Sequence, residues 1–71
     1  MAIKTNYYVN DNAQKNGDHE VHTASCVYLP LEKNRTYLGS FDNCADAVNA
    51  AKSYHPQVNG CATCSSPCHT Q

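Results

Sequence analysis

Two pairs of soft ligands constrain this chain more than anything else in it. Val21-His22-Thr23-Ala24-Ser25-Cys26 carries an H-x3-C pair, and Gly60-Cys61-Ala62-Thr63-Cys64 carries a C-x2-C pair. Spacings of this kind, one pair early and one late, read as the two halves of a single tetrahedral metal site. Any fold must then bring the two pairs to one point across residues 27–60. Cys68 and His69 follow closely behind the second pair.

The need for such a staple follows from size. With 71 residues the chain is one domain at most, and a chain that short buries only roughly 60% of its unfolded surface. Val, Leu, Ile and Phe supply ten of the 71 residues, below the roughly 20% at which disorder sets in for highly charged chains. The net charge is only −1, and five tyrosines and five cysteines fill the apolar deficit. A thin core with many cysteines points to a covalent or metal cross-link. The expectation is a single domain over 1–71, ordered over about 4–64, with 65–71 as a tail.

Metal is expected rather than disulfide. Met1-Ala2-Ile3-Lys4-Thr5-Asn6 has no apolar run of the secretory type, so the expected compartment is cytoplasmic, where thiols stay reduced. An odd number of cysteines also leaves one over in any disulfide framework. No stretch approaches the roughly 20 apolar residues of a membrane span. The basic residues Lys4, Lys15, Lys33, Arg35 and Lys52 are dispersed, which disfavours binding to a phosphate backbone.

The periodicities predict a small α+β fold. Residues 4–10 alternate in the β manner, Asn16-Gly17 is a hairpin-turn dipeptide, and a second strand runs into His22. Period 2 places His19 and His22 on opposite faces. Val27-Tyr28-Leu29-Pro30 forms a short apolar patch. Arg35–Gly39 predicts a third short strand, broken at Gly39-Ser40. Asn43, with Asp46 three residues on, resembles a capping box. It opens a helix over about 43–55 whose apolar face is Cys44, Ala47, Val48, Ala51 and Tyr54. Pro56 ends it, and Val58-Asn59-Gly60 turns the chain into the C-terminal C-x2-C knuckle. A metal held there would clamp helix to sheet.

Zinc suits this donor set, and His22, Cys26, Cys61 and Cys64 would close one structural Cys3His site. At these residues the chain resembles the metal-binding domain of the Ada alkylation-response protein and similar zinc modules. The shared pieces are His22-Thr-Ala-Ser-Cys26, the helix start Phe41-Asp-Asn-Cys-Ala-Asp-Ala47, and Cys61-Ala-Thr-Cys64. The pattern spans about two thirds of the chain, over residues 19–64. Its Val-His-x3-Cys and Leu-Gly-x-Phe pieces are most similar to short bacterial relatives of that domain. The resemblance implies the fold and the zinc. It argues against methyl transfer at the first ligand, because His22 stands where Ada has its acceptor cysteine.

Cys44, Cys68 and His69 lie outside the four-ligand set. Cys44 falls on the apolar helix face and reads as a core cysteine. Cys68 is open to several readings: a substitute ligand, a disulfide partner of Cys44, an exposed reactive thiol, or an idle tail residue. His19 and His55 read as solvated residues, and the five tyrosines as core with hydroxyls at the rim. No catalytic constellation is visible in the sequence. The expected function is therefore a non-enzymatic zinc module that binds a macromolecular partner, a protein rather than a nucleic acid. The rival readings are a thiol-based alkyl acceptor or redox sensor, an Ada-like DNA-binding domain, and a metal buffer.

Overall fold

The structure, a computed structural model, describes residues 4–70. Among them the chain forms β1 (Thr5–Asn10), β2 (His19–Thr23), β3 (Arg35–Phe41), a helix α1 (Cys44–Ala51) and β4 (Val58–Gly60). Two single 3-10 turns, Glu32–Asn34 and Ser66–Cys68, complete the list. The strands make one sheet in the order β3-β1-β2-β4. This is the small α+β domain expected from the periodicities. No helix of the described residues is long and apolar enough to cross a membrane.

Alternation along β1 and β2 sorts the sheet into two faces. Tyr7 and Val9 are buried on one side, and Val9 lies opposite Val21 across the antiparallel β1–β2 pair. Against that side pack Cys44, Ala47 and Ala51 of α1, with Leu38, Phe41, Val48, Val58 and Cys68 around them. Val9 and Val21 are fully buried, each contributing about 1.5–3 kcal/mol. Tyr8 pairs with His22, so both side chains project from the opposite face.

The helix starts where its cap predicts. Asn43 is extended, and its side-chain oxygen accepts from the backbone N–H of Asp46 at 2.9 Å. The regular helix ends at Ala51, short of the expected residue 55. The chain continues as a turn in which the N–H groups of Tyr54 and His55 both donate to Ala51 O. Tyr54, expected on the buried face, is 56% exposed for that reason.

Two further expectations fail for backbone reasons. Gly39-Ser40 does not break β3. Gly39 takes φ +127 and the register to β1 shifts between Tyr7 and Tyr8. The glycine thus absorbs a bulge, and the strand runs on to Phe41. Val58–Gly60 is not a turn but a fourth strand, parallel to β2, with Val21 opposite Gly60. That parallel pairing carries the chain from the end of β4 alongside His22, which is what brings the late ligand pair to the early one.

Candidate metal centre

His22 is the penultimate residue of β2, opposite Tyr8, and Cys61 directly follows β4. The Cys61 N–H donates to Val21 O at 3.0 Å, so the parallel ladder extends by one bond and sets Cys61 beside His22. The chain then turns, with the Ser65 N–H on Cys61 O at 2.9 Å, and Cys64 comes back over the site. After β2, the Cys26 N–H donates to Thr23 O at 3.1 Å, which folds Cys26 under the strand end. One ligand atom from each of His22, Cys26, Cys61 and Cys64 lies within 4.8 Å of all the others. The group is suited to hold a metal ion. His22 and Cys61 are buried, while Cys26 and Cys64 are half-buried.

The donors are arranged for ligation. Cys64 Sγ lies 3.7 Å from His22 Nδ1, and Cys26 Sγ lies 3.9 Å from Cys61 Sγ. The Thr23 N–H donates to Cys64 Sγ at 3.4 Å. The Nδ1 edge of the imidazole therefore faces the sulfurs. Its Nε2 edge faces away, toward Glu20 Oε1 at 3.7 Å. Burial holds His22 below its ordinary pKa against the opposing pull of Glu20, so the ring stays neutral and its nitrogen free to ligate.

The three thiols are not equivalent. Burial and the hydrogen bond to Cys64 push Cys26 up to about 12. Burial also opposes ionisation of Cys64, but hydrogen bonds from Cys26, the Thr23 backbone and Cys61 outweigh it and lower that thiol. Of these two thiols, Cys64 is therefore the easier to ionise. A cation at the centre would favour the thiolate form of both.

The residues outside this group are employed elsewhere. Cys44 is not an inert core thiol, and neither it nor Cys68 is a spare ligand: the two form a disulfide with Cα atoms 6.2 Å apart. His69 lies outside the four-residue group, and its Nδ1 meets Gly60 O at 2.9 Å. The expected tail is docked over residues 65–70: Ser65 is buried, and the Thr70 N–H donates to Asn59 Oδ1 at 3.0 Å. The expectation that the metal clamps helix to sheet is corrected too. The disulfide ties the helix start to the 3-10 turn Ser66–Cys68 on the helical side, while His22 projects from the opposite face of the sheet.

The expectation of solvated His19 and His55 fails as well. Their rings stack at 3.7 Å between centroids with an interplanar angle of 3°. His19 Nδ1 contacts Asn10 O at 2.9 Å, and His55 Nε2 contacts Asp11 Oδ1 at 3.0 Å. The helix C-terminus and the β1–β2 loop are thereby joined. Tyr7 alone of the tyrosines is buried. Tyr8 and Tyr37 pack ring to ring at 5.3 Å, with Arg35 4.6 Å over the Tyr8 ring, while Tyr28, Tyr37 and Tyr54 are exposed.

Glu20 is the residue the sequence reading missed. The signal was present, because residues i and i+2 of a strand share a face, and Glu20 stands two before His22. Compared with known protein families, with curated proteins and with solved structures, the chain matches none.

Proposed function

We propose that this domain is a non-enzymatic zinc-binding module whose ion is structural. The observation that carries the reading is the convergence of one imidazole and three thiol sulfurs within 4.8 Å. A tetrahedron with metal–sulfur bonds of about 2.3 Å has edges of about 3.8 Å. The sulfur–sulfur and sulfur–nitrogen separations of 3.9 and 3.7 Å fit that figure. Soft thiolates with one imidazole favour zinc over harder ions. Four protein donors leave no position for a reacting water, which separates a structural from a catalytic site.

The module's role is to present a surface to a partner, and a protein is the better partner. The loop that carries Cys26 exposes Val27 at 83%, Tyr28 at 66% and Leu31 at 68%. Exposed apolar side chains gathered on one segment suit a protein contact, whereas the few scattered cations do not suit a phosphate backbone. The Ada-like motif pattern supports the same donor set, with His22 at the first position arguing against alkyl transfer there.

Elemental analysis of purified protein tests the reading, with circular dichroism before and after chelation. One zinc per chain and loss of the folded spectrum on chelation are expected. A fold that survives complete removal of metal would overturn the structural role.

A further inference from the structure

We propose that the Cys44–Cys68 disulfide is a redox latch on the metal site, holding Cys61 and Cys64 in ligating position when closed and releasing the ion when a dithiol reduces it. The proposal rests on the metal reading above and adds a control to it. Its basis is where the bridge sits. Cys44 is the first residue of α1, and Cys68 belongs to the 3-10 turn Ser66–Cys68 directly behind the ligand turn. The span the bridge encloses contains β4, Cys61 and Cys64.

The bridge and the ligand turn are in contact. A Cβ placed on Gly60 would lie 2.7 Å from Ser65 O and 2.8 Å from the Cys68 Cβ, so Cys68 is packed onto the residue just before Cys61. His69 holds Gly60 O, and Thr70 holds the Asn59 side chain. Residues 65–70 thus back the late ligand pair through three consecutive attachments.

Only one of those attachments is strong. Ser65-Ser66-Pro67-Cys68-His69-Thr70 contains no large apolar side chain to bury, and Cys68 is its contact with the core cluster. The remaining hydrogen bonds are worth little without the covalent link to hold them in register. The Ser65 hydroxyl is buried without a hydrogen-bond partner among the described residues, a cost that opening would relieve. Cys68 is half-buried whereas Cys44 is buried, so an incoming thiolate reaches the Cys68 sulfur first.

The chemistry balances with a dithiol as reductant. Its thiolate attacks Cys68 Sγ, the Cys44–Cys68 bond breaks, and the second thiol closes the dithiol into its own disulfide. Two electrons and two protons pass to the protein, leaving Cys44 and Cys68 as thiols. Residues 65–70 then detach, Cys61 and Cys64 lose their backing, and the ion leaves as its hydrated cation. By linkage, the bound ion must make the bridge harder to reduce to the same degree.

The test is zinc affinity, measured by competition with a chromogenic chelator. Three proteins are compared: the oxidised full chain, the same chain reduced by a water-soluble phosphine and desalted without air, and a Cys44→Ser/Cys68→Ser double variant. The phosphine takes an oxygen from water to become its oxide, so no dithiol is left to chelate zinc. The reduced and doubly substituted proteins are expected to bind zinc at least about tenfold more weakly, within the few hundredfold or so that loop closure by a bridge this long can supply. A Leu38→Ala variant, which weakens the core from β3 and leaves both bridge cysteines in place, is expected to keep the affinity of the oxidised chain. Equal affinity in all three proteins would overturn the latch and leave the metal site standing. An equal loss in Leu38→Ala would overturn it in favour of general destabilisation. Absence of stoichiometric zinc from the oxidised chain would instead sink the metal reading, and the latch with it.

Discussion

The carboxylate of Glu20 stands 3.7 Å from Nε2 of His22, on the side of the ring turned away from Cys64. A carboxylate behind a ligating imidazole fixes its tautomer and orientation and raises its basicity. Glu20→Gln leaves all four ligands in place, yet is expected to weaken metal binding by about 10-fold or more. Cobalt(II) titration followed by its visible bands would measure this, and an unchanged affinity would remove Glu20 from the site.

Cys61→Ser is expected to cost both ion and fold. Cys61 is buried beside His22, and a serine there is a poor ligand for a soft-donor site. Metal stoichiometry should fall from one toward zero, and thermal melting should lose its cooperative step. Retention of zinc with a normal melt would show that Cys61 does not ligate.

Gly60 is the tightest of the three glycines, since a Cβ there would meet Ser65 O at 2.7 Å. The obstacle is main chain rather than a flexible side-chain tip, so it cannot swing aside. Gly60→Ala is expected to destabilise by about 1–3 kcal/mol, a shift in Tm of several degrees at least for a domain this size. Denaturant unfolding of the zinc-loaded variant gives the number.

The helix depends on its first turn. With only eight residues, α1 is too short to persist without help, and the Asn43 cap satisfies one of its free N–H groups at 2.9 Å. Asn43→Ala is expected to cost about 1 kcal/mol, while Asn43→Asp should be nearly neutral. A loss equal in both variants would count against the cap.

Asp11 and Asp18 tie the β1–β2 loop to the C-terminal half, and both are held below the ordinary carboxylate value of 3.8. At Asp11 burial pushes the other way, but hydrogen bonds from His55 and Thr36 outweigh it. At Asp18 the main causes are hydrogen bonds from Gln57 and Asn59. Because the folded values lie lower than the unfolded ones, the stabilisation is present above pH 3.8 and lost as pH falls through the folded values. Asp11→Asn and Asp18→Asn should therefore be less stable than the parent at pH 7 and converge on it in strong acid. Parallel denaturant curves across that range would decide, and a gap independent of pH would refute the ionic origin.

The features legible in the sequence were those set by local chemistry. The H-x3-C and C-x2-C pairs were readable because a metal site, where one is formed, restricts both donor type and spacing. Asn43 and Asp46 were readable because a cap spans three residues. What escaped depended on distant partners. Val58–Gly60 is a strand only because β2 lies alongside it, and a three-residue segment with one large apolar side chain shows no period. Gly39 looked like a breaker because its left-handed backbone is visible only once Tyr7 and Tyr8 supply the opposing strand. Tyr28, Tyr37 and Tyr54 were assigned to the core, but Tyr37 shares with Tyr8 the sheet face turned away from the helix, Tyr28 lies on the Cys26 loop, and the regular helix stops before Tyr54. The Cys44–Cys68 pairing was one of several readings open for Cys68, and the Cα approach of 6.2 Å across a sequence separation of 24 is what selects it.

The two-faced sheet has a consequence for the sulfur chemistry of the whole chain. It acts as a partition. Cys44 and Cys68 are spent as a disulfide on the helical side, while Cys26, Cys61 and Cys64 remain free thiols gathered around His22 beyond it. The folded molecule therefore holds oxidised and reduced sulfur in one small volume, on different sides of β2. Scrambled pairings would arise from unfolded chains, so the integrity of β1 and β2 is also what keeps the cysteines chemically sorted.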